Sequence, residues 1–243
     1  MAKTLDTAGA ACARLKDWLC RSKFNRSQPY GIPVSIYSNQ PFSSQDLCEL
    51  DRLAELHDFA SLVTVEEGQP FISHIPVLYS RSDDVIVVAG HLARANRQAK
   101  DGSQALVVLH GPNAYVSPSW YPDKVERSRV PTWNYAVAHL TGTLECRDDD
   151  QWLAEHVGTL SERHERRAGG SWAFDSEAES ERSMLRGIIG FRLRVRKFEL
   201  KLKLSQNHPN ANRQSVLAYL AKGNEAAQQV ADLMRRSLAR ISD

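Results

Sequence analysis

The 243-residue sequence has no long hydrophobic run, few cysteines and almost balanced charge. A membrane-spanning helix needs about 18 or more consecutive apolar residues, so we expect no span and no membrane partner. The four cysteines, Cys12, Cys20, Cys48 and Cys146, have neither the spacing of a CxxC redox pair nor that of a zinc knuckle. With no secretory signal, this usage predicts reduced thiols in a cytoplasmic protein.

Familiar catalytic motifs are missing as well. The chain contains no GxSxG, P-loop, GxGxxG or HExxH, so nothing supports a classical hydrolase or a dinucleotide-binding enzyme. The net charge of +2 gives no general reason to expect a nucleic-acid partner. Hydrophobic residues make up 42% of the chain, which is ordinary for a soluble globular protein of a length that can bury a sizeable core.

Residues 1–34 differ in composition from the rest of the chain. They hold six lysines and arginines against two aspartates, and Leu15, Trp18 and Leu19 would share one face of a short helix. A basic amphipathic segment is typical of a transit peptide, but the two acids are against that interpretation. We therefore expect a peripheral helix or a poorly ordered extension.

Short β-rich runs follow one another with turn residues between them and no helical crossover. Consecutive strands of this kind favour an antiparallel barrel over a doubly wound parallel sheet. Five to seven strands with helices at both ends predict an α+β protein, mainly β with flanking helices. We expect three parts, which are the extension at 1–34, one domain at 35–223 and a C-terminal helix at 224–243.

Two local signals refine this prediction. Ser43 and Asp46 have the spacing of a capping box, which predicts the start of the first helix. In the last long strand, apolar residues alternate with Arg192, Arg194 and Arg196, and the alternation changes phase after Lys197. Because a one-residue slip exchanges the two faces of a strand, the phase change predicts a bulge or a tight bend.

The stretch Tyr115–His139 is unusually rich in aromatic rings. It holds two tryptophans, three tyrosines and three prolines. Trp133, Tyr135, Val137 and His139 would share one face of a strand, with small residues on the other face. Rings that stay partly exposed commonly line a planar-ligand pocket or a subunit interface, and the residues leave both open.

Two further segments have more polar character than packing requires. In "GHLARANRQ", we expect a strand to end at Gly90 and a helix to start, so that backbone N–H groups beside Arg94 would suit a phosphate. In "KLKLSQN", Lys201 and Lys203 lie beside Ser205 and two amides and would cradle an anion. The alternatives are an ordinary turn and a solvated strand end.

Together these segments resemble the PaiB-type family, whose members are described as FMN-binding negative transcriptional regulators. The resemblance extends from about Ile36 to Gly223. The matching motifs, in chain order, are "IYSNQPF", "SHIP", "GHLARAN", "GPNAYVSPSWYPDK", "VPTWNYAVAH" and "KLKLSQN".

The resemblance implies an FMN-binding split β-barrel of the flavin-reductase-like kind, usually a homodimer with cofactor sites at the subunit interface. It also implies FMN as the cofactor. The candidates for binding its phosphate and ribityl chain are Arg94, Asn96, Lys203, Ser205 and Gln206. Those that would flank the flavin ring are Trp120, Trp133 and His91, and the same motifs add Ser117 and Asn134 as cofactor-binding candidates.

The chain departs from the family pattern at two places. The motif GHxARAN usually continues as "NPQW", whereas this chain has "NRQAK", so a ring on the cofactor side would be missing near Arg97. Leu200 also stands where glycine is common.

The resemblance leaves two other functions open. Piperazate synthases form a related branch that binds haem b and closes an N–N bond in N5-hydroxyornithine. Haem iron commonly takes an axial imidazole, and His74 or His91 would be the first candidates. The third possibility is a DNA-binding repressor with the cofactor as a sensor, although the sequence has no helix-turn-helix signature and its row of arginines near residue 194 has the pattern of a solvated strand face.

Overall fold

The computed structural model of the protein describes residues 36–37 and 40–239. The extension predicted at 1–34 lies outside the described residues. None of the helices in these ranges has the length and hydropathy that a bilayer crossing requires.

Eight antiparallel strands form one sheet with the order β3-β2-β6-β7-β8-β5-β4, and β1 pairs with β8. The chain passes from β3 into β4 through the single buried residue Val77, and β3 also contacts β5, so the sheet curls into a barrel. The strands are β1 (Ser43–Ser44), β2 (Phe59–Glu66), β3 (Gln69–Pro76), β4 (Leu78–Ser82), β5 (Val85–Ala93), β6 (Gln104–Val116), β7 (Thr132–Arg147) and β8 (Ile188–Lys203).

Helices flank this barrel, which confirms the predicted fold class. The last helix packs into the core through Val230, Ala231 and Met234, so it is part of the barrel's packing. The helices are α1 (Leu47–Leu56), α2 (Asp150–Ala168), α3 (Glu179–Met184), α4 (Asn210–Leu220) and α5 (Glu225–Ala239).

The predicted phase change in β8 is a bulge. Thr141 pairs with Lys197 and Gly142 pairs with Val195, so Arg196 is the extra residue. The strands approach closely at this point, because a Cβ at Gly142 would lie 2.1 Å from the carbonyl oxygen of Arg194. The bulge therefore exchanges the faces of β8 while β7 keeps one face toward the core.

Gly142→Ala should lower the free energy of unfolding by about 2 kcal/mol, because overpacking against backbone cannot be relieved by a side-chain rotation. Urea denaturation followed by circular dichroism measures the change. Gly158→Ala in α2 is the matched control, since nothing lies within 4 Å of its added Cβ. That variant should be as stable as the wild type or more so, because alanine favours a helix by up to about 1 kcal/mol over glycine. Equal stability of the two variants would contradict the close approach.

Three predictions of local structure were wrong. The first helix is capped by Asp46, whose carboxylate accepts from the Glu49 N–H, while Ser43 belongs to β1. Strand β5 runs through Gly90 to Ala93, and residues 94–103, all of which the structure describes, form turns and no helix. Glycine is needed at position 90 for packing, since a Cβ there would lie 2.7 Å from the Phe191 ring.

The arginines of β8 form a solvated face only in part, because Arg196 is exposed and Arg192 and Arg194 are half-buried. Arg192 lies over the ring of Trp152 at 5.4 Å, and its pKa is lowered by burial. Arg194 Nε lies 3.2 Å from Glu145 Oε1. Helix α2 and strand β7 therefore cover most of this basic row.

Candidate functional site

A cleft of about 420 Å³ lies where β7 begins and β8 ends. The turn after β8 and the loop before β7 form its walls. Its polar lining includes Arg129, Thr132, Asn134, Lys203, Ser205 and His208. Three of the predicted cofactor-binding residues, Asn134, Lys203 and Ser205, are thus brought together.

Lys203 contributes a positive charge at the strand end that borders this cleft. Its Nζ donates to Thr132 Oγ1 at 2.6 Å, and it forms no ion pair with any residue in the described ranges. The strand pairing of Lys203 with Tyr135 places it one position along β7 from Asn134. A lysine held by a hydroxyl alone keeps donors and charge for an anionic ligand.

Asn134 and Ser205 form a buried polar pair next to Lys203. Asn134 Nδ2 donates to Ser205 Oγ at 3.0 Å. Ser205 has a backbone φ of +63°, in the left-handed region that residues other than glycine rarely adopt. Backbone strain of this kind clusters at functional sites. Gln206, also predicted to bind the cofactor, does not line the cleft. It closes the turn after β8, because its Oε1 accepts from the Leu204 N–H at 2.7 Å and its Nε2 donates to the Leu202 carbonyl.

Tyr121 and His208 were not among the predicted site residues. Their rings stack with centroids 4.8 Å apart, and His208 lines the cleft. The Tyr121 hydroxyl and His208 Nδ1 are buried and have no hydrogen-bond partner among the described residues. Burial lowers the pKa of His208, so the ring is neutral near pH 7 and carries one donor and one acceptor. Buried polar atoms without partners commonly await a ligand or an ordered water.

An ion pair fixes the loop that forms one wall of the cleft. Arg129 binds Asp123 through Nε and Nη2, and this guanidinium, with help from Asn212, lowers the pKa of Asp123 to about 2. The charge of Arg129 is therefore already compensated. Lys203, together with the exposed Arg127 of the same loop, is a cation that a ligand in the cleft would meet.

The aromatic candidates do not line this cleft. Trp120 stacks on Tyr219 at 5.2 Å, and Ser117 caps the short turn that carries Trp120 by accepting from the Ser119 N–H. Trp133 lies on the opposite face of β7 from Asn134, half-exposed and with its ring 6.2 Å from that of Tyr115. The rings predicted to flank the flavin thus lie elsewhere within one chain.

His91, Arg94 and Asn96 form a second group at the other end of β8. His91 pairs with Gly190, and the stretch from Gly190 to Lys203 spans about 40 Å at roughly 3.3 Å per residue. Arg94 forms an ion pair with Asp148 and donates hydrogen bonds to the carbonyls of residues 186 and 188. Asn96 Nδ2 donates to Ser73 Oγ at 3.0 Å. A single chain therefore does not unite the two groups of candidates.

Arg97 and Gln98, where the chain departs from its family pattern, both contact strands β2 and β3 or their side chains. Arg97 lies 4.7 Å above the ring of Phe71. The next residue, Gln98, is buried, and its Nε2 donates to the carbonyls of Leu62 and Phe71 and to Thr64 Oγ1. Sequence reasoning missed Gln98, which fastens the turn after β5 to strands β2 and β3.

Exposed apolar side chains gather on the outer surface of the sheet. We call this surface the outer apolar face and define it by Phe59, Val65, Ile72, Tyr115 and Trp133, which are 46% to 69% exposed. They lie on the four neighbouring strands β3, β2, β6 and β7. Exposed rings and aliphatic side chains on neighbouring strands give the face the character of an interface.

Two histidines on the same side of the sheet share one hydroxyl. Ser61 Oγ lies 3.0 Å from His74 Nδ1 and 2.9 Å from His110 Nε2. Both histidines are exposed, whereas Ser61 is buried. Within residues 36–37 and 40–239, no three His, Cys, Asp or Glu side chains converge as a metal site would require.

The barrel is shared with solved structures. The FAD- and haem-binding protein from Mycobacterium smegmatis matches with a TM-score of 0.50 and 20% identity, over 72% of this chain and 79% of that one. The conserved hypothetical protein Rv2991 from Mycobacterium tuberculosis matches with a TM-score of 0.50 and 14% identity, over 72% and 95%. These likenesses show the fold: the chain is a split-barrel protein.

The family follows from sequence comparison. The model described as "Putative FMN-binding domain" matches residues 36–197. Protease synthase and sporulation protein PAI 2 from Bacillus subtilis is 31% identical over 208 residues, which cover 84% of this chain and 98% of the relative. The chain belongs to this PaiB-type family, whose model describes an FMN-binding domain.

Proposed function

We propose that the protein is a homodimeric FMN-binding protein that holds the cofactor's phosphate and ribityl chain in the cleft of Lys203. The observation that supports this most is the uncompensated ammonium of Lys203 beside the Asn134–Ser205 pair. A phosphate monoester carries about −1.5 to −2 charges at pH 7, and a lysine is a common partner for it. His208 lines the cleft, and its Nδ1, which has no hydrogen-bond partner among the described residues, fits the polar ribityl chain.

The second part of the proposal is that two copies complete each site. His91, Arg94 and Asn96 lie far from the cleft within one chain, and the ring-bearing outer apolar face is open to a partner. A second copy packed on this face would cover its apolar surface and would supply aromatic rings to the cofactor. When bound, FMN supplies electron- and hydride-transfer chemistry, while the chain's own residues bind, orient and shield it.

The family resemblance also suggests a regulatory role, which would require either DNA binding or signalling through the cofactor. Arg192 and Arg194 are engaged by Trp152 and Glu145, so the row that would have touched DNA is not available as a basic stripe. We therefore favour a flavin-bearing sensor or redox protein over a repressor that binds DNA through β8.

The free thiols of Cys48 and Cys146 suit the cytoplasmic location that we propose.

The visible spectrum of the purified protein tests the cofactor. We expect flavin absorption bands near about 370 and 450 nm after reconstitution with FMN, and no Soret band. A protein that remains colourless after incubation with FMN would contradict the proposal.

One observation favours haem as a second candidate. His74 is exposed while its Nδ1 is held by Ser61 Oγ, which leaves Nε2 as the nitrogen for an iron ligand, and metal-binding histidines are commonly anchored in this way. A Soret band near about 400 nm that is lost in His74→Ala would support a haem enzyme of the piperazate-synthase type. The same band retained in that variant would point away from His74.

A further inference from the structure

A second histidine lies directly behind His91, although no motif of the family drew attention to it. His156 on α2 is 4% exposed, and its Nε2 lies 3.2 Å from His91 Nδ1. The two rings meet edge to face with centroids 5.3 Å apart. The contact joins residues 65 positions apart, so the sequence alone does not reveal it.

The packing of α2 determines where His156 lies. Trp152, one turn earlier in the helix, stacks on His156 with centroids 5.0 Å apart and planes 4° from parallel. Trp152 also lies over Gly190, the strand partner of His91, where a Cβ would be 2.1 Å from the indole ring. The guanidinium of Arg192 lies over the Trp152 ring, 5.4 Å from its centroid. The ring of His156 is therefore held in place from several sides.

Both imidazoles are neutral near pH 7. Burial, followed by the neighbouring His91 and Arg192, lowers the pKa of His156 to about 3, and burial also lowers the pKa of His91. A neutral imidazole has one N–H donor and one acceptor nitrogen. A single N–H···N hydrogen bond therefore joins the rings, and its direction decides which nitrogen of His91 carries the proton.

We propose that His156 is a positioning residue that holds His91 in one orientation and one tautomer, through the buried contact between His91 Nδ1 and His156 Nε2. His91 Nε2 is then presented to a bound ligand in one protonation state. A histidine that binds a cofactor or an ion commonly has its other nitrogen fixed in this way. This inference rests on the proposed function only in giving His91 a place in the cofactor site.

The tautomer of His91 is measured directly by ¹⁵N NMR of the full chain labelled at histidine, without any cofactor. We expect one tautomer of His91 to predominate in the wild type, because its Nδ1 takes part in a buried hydrogen bond to a ring that is itself held in place. In His156→Leu, this preference should be lost. His156→Gln, which keeps a hydrogen-bonding atom near the position of Nε2, should restore it at least in part.

His164→Leu is the matched control, because it makes the same substitution on the same helix away from His91. It should leave the His91 signals unchanged, and thermal unfolding of all variants checks that the barrel is folded. An unchanged tautomer ratio in a folded His156→Leu protein overturns the proposal, as does a wild-type His91 with its two tautomers equally populated.

A titration with FMN separates this inference from the proposed function. If His91→Leu and His156→Leu both weaken FMN binding, the pair acts on the cofactor. If neither does while the tautomer still changes, His156 positions His91 as inferred and the assignment of His91 to the cofactor site is wrong.

Discussion

Lys203→Met should weaken FMN binding by roughly 10- to 100-fold. A hydrogen bond to a charged group contributes about 1.5 to 3 kcal/mol, and methionine retains the length of the side chain without the ammonium. The loss should be largest for FMN and small for riboflavin, since riboflavin lacks the phosphate that Lys203 would bind. Fluorescence titration of both flavins with the purified protein measures the two affinities.

Lys222→Met is the matched control for this experiment. Lys222 is an exposed lysine just after α4 and does not line the cleft. Its replacement should leave both affinities unchanged. If Lys203→Met folds normally and binds FMN as tightly as the wild type, the cleft is not the phosphate site.

Ile72→Asp should convert the proposed dimer to a monomer. Ile72 belongs to the outer apolar face and is 53% exposed in one chain, so the single chain tolerates a carboxylate there. Burying an unpaired charge in an interface costs several kcal/mol, which corresponds to at least about a 100-fold rise in the dimer dissociation constant. Size-exclusion chromatography with light scattering measures the change in mass.

Val125→Asp provides the control for Ile72→Asp. Val125 is an exposed apolar residue in the loop before β7 and is not a member of the outer apolar face, so its replacement should leave the mass unchanged. A monomeric wild type would refute the dimer. A monomeric Ile72→Asp that retains full FMN affinity would show that each copy holds its cofactor alone.

The strands were predictable because their signal is local. Alternation in β8 and its change of phase after Lys197 are visible in the sequence, and the structure places a bulge at Arg196. The end of β5 was not predictable in this way. Gly90 has the appearance of a strand end, but it is small because the ring of Phe191 occupies the space beside it. That requirement comes from a residue about a hundred positions away.

The residues of the candidate site also fall into those that a local sequence signal revealed and those that depend on distant partners. The motif "KLSQN" indicated Lys203 and Ser205 because neighbouring residues of one strand end must lie together. Arg94 had the residue type that binds phosphate, yet Asp148 engages it, and nothing near Arg94 in the sequence announces that partner. His208 was missed because its importance comes from stacking on Tyr121, which is known only once the chain has folded.

Gln98 has a consequence for the dynamics of the turn after β5. Its amide donates to groups on two strands, and its carbonyl accepts from Ser73 Oγ, so each polar atom of the side chain is satisfied in the interior. Releasing the turn would leave the Thr64 hydroxyl and the carbonyls of Leu62 and Phe71 in the interior without the donor that Gln98 supplies. Such a loss would cost several kcal/mol. The segment that carries Arg94 and Asn96 is therefore not a hinged lid. It opens only when the paired edge of β2 and β3 opens with it.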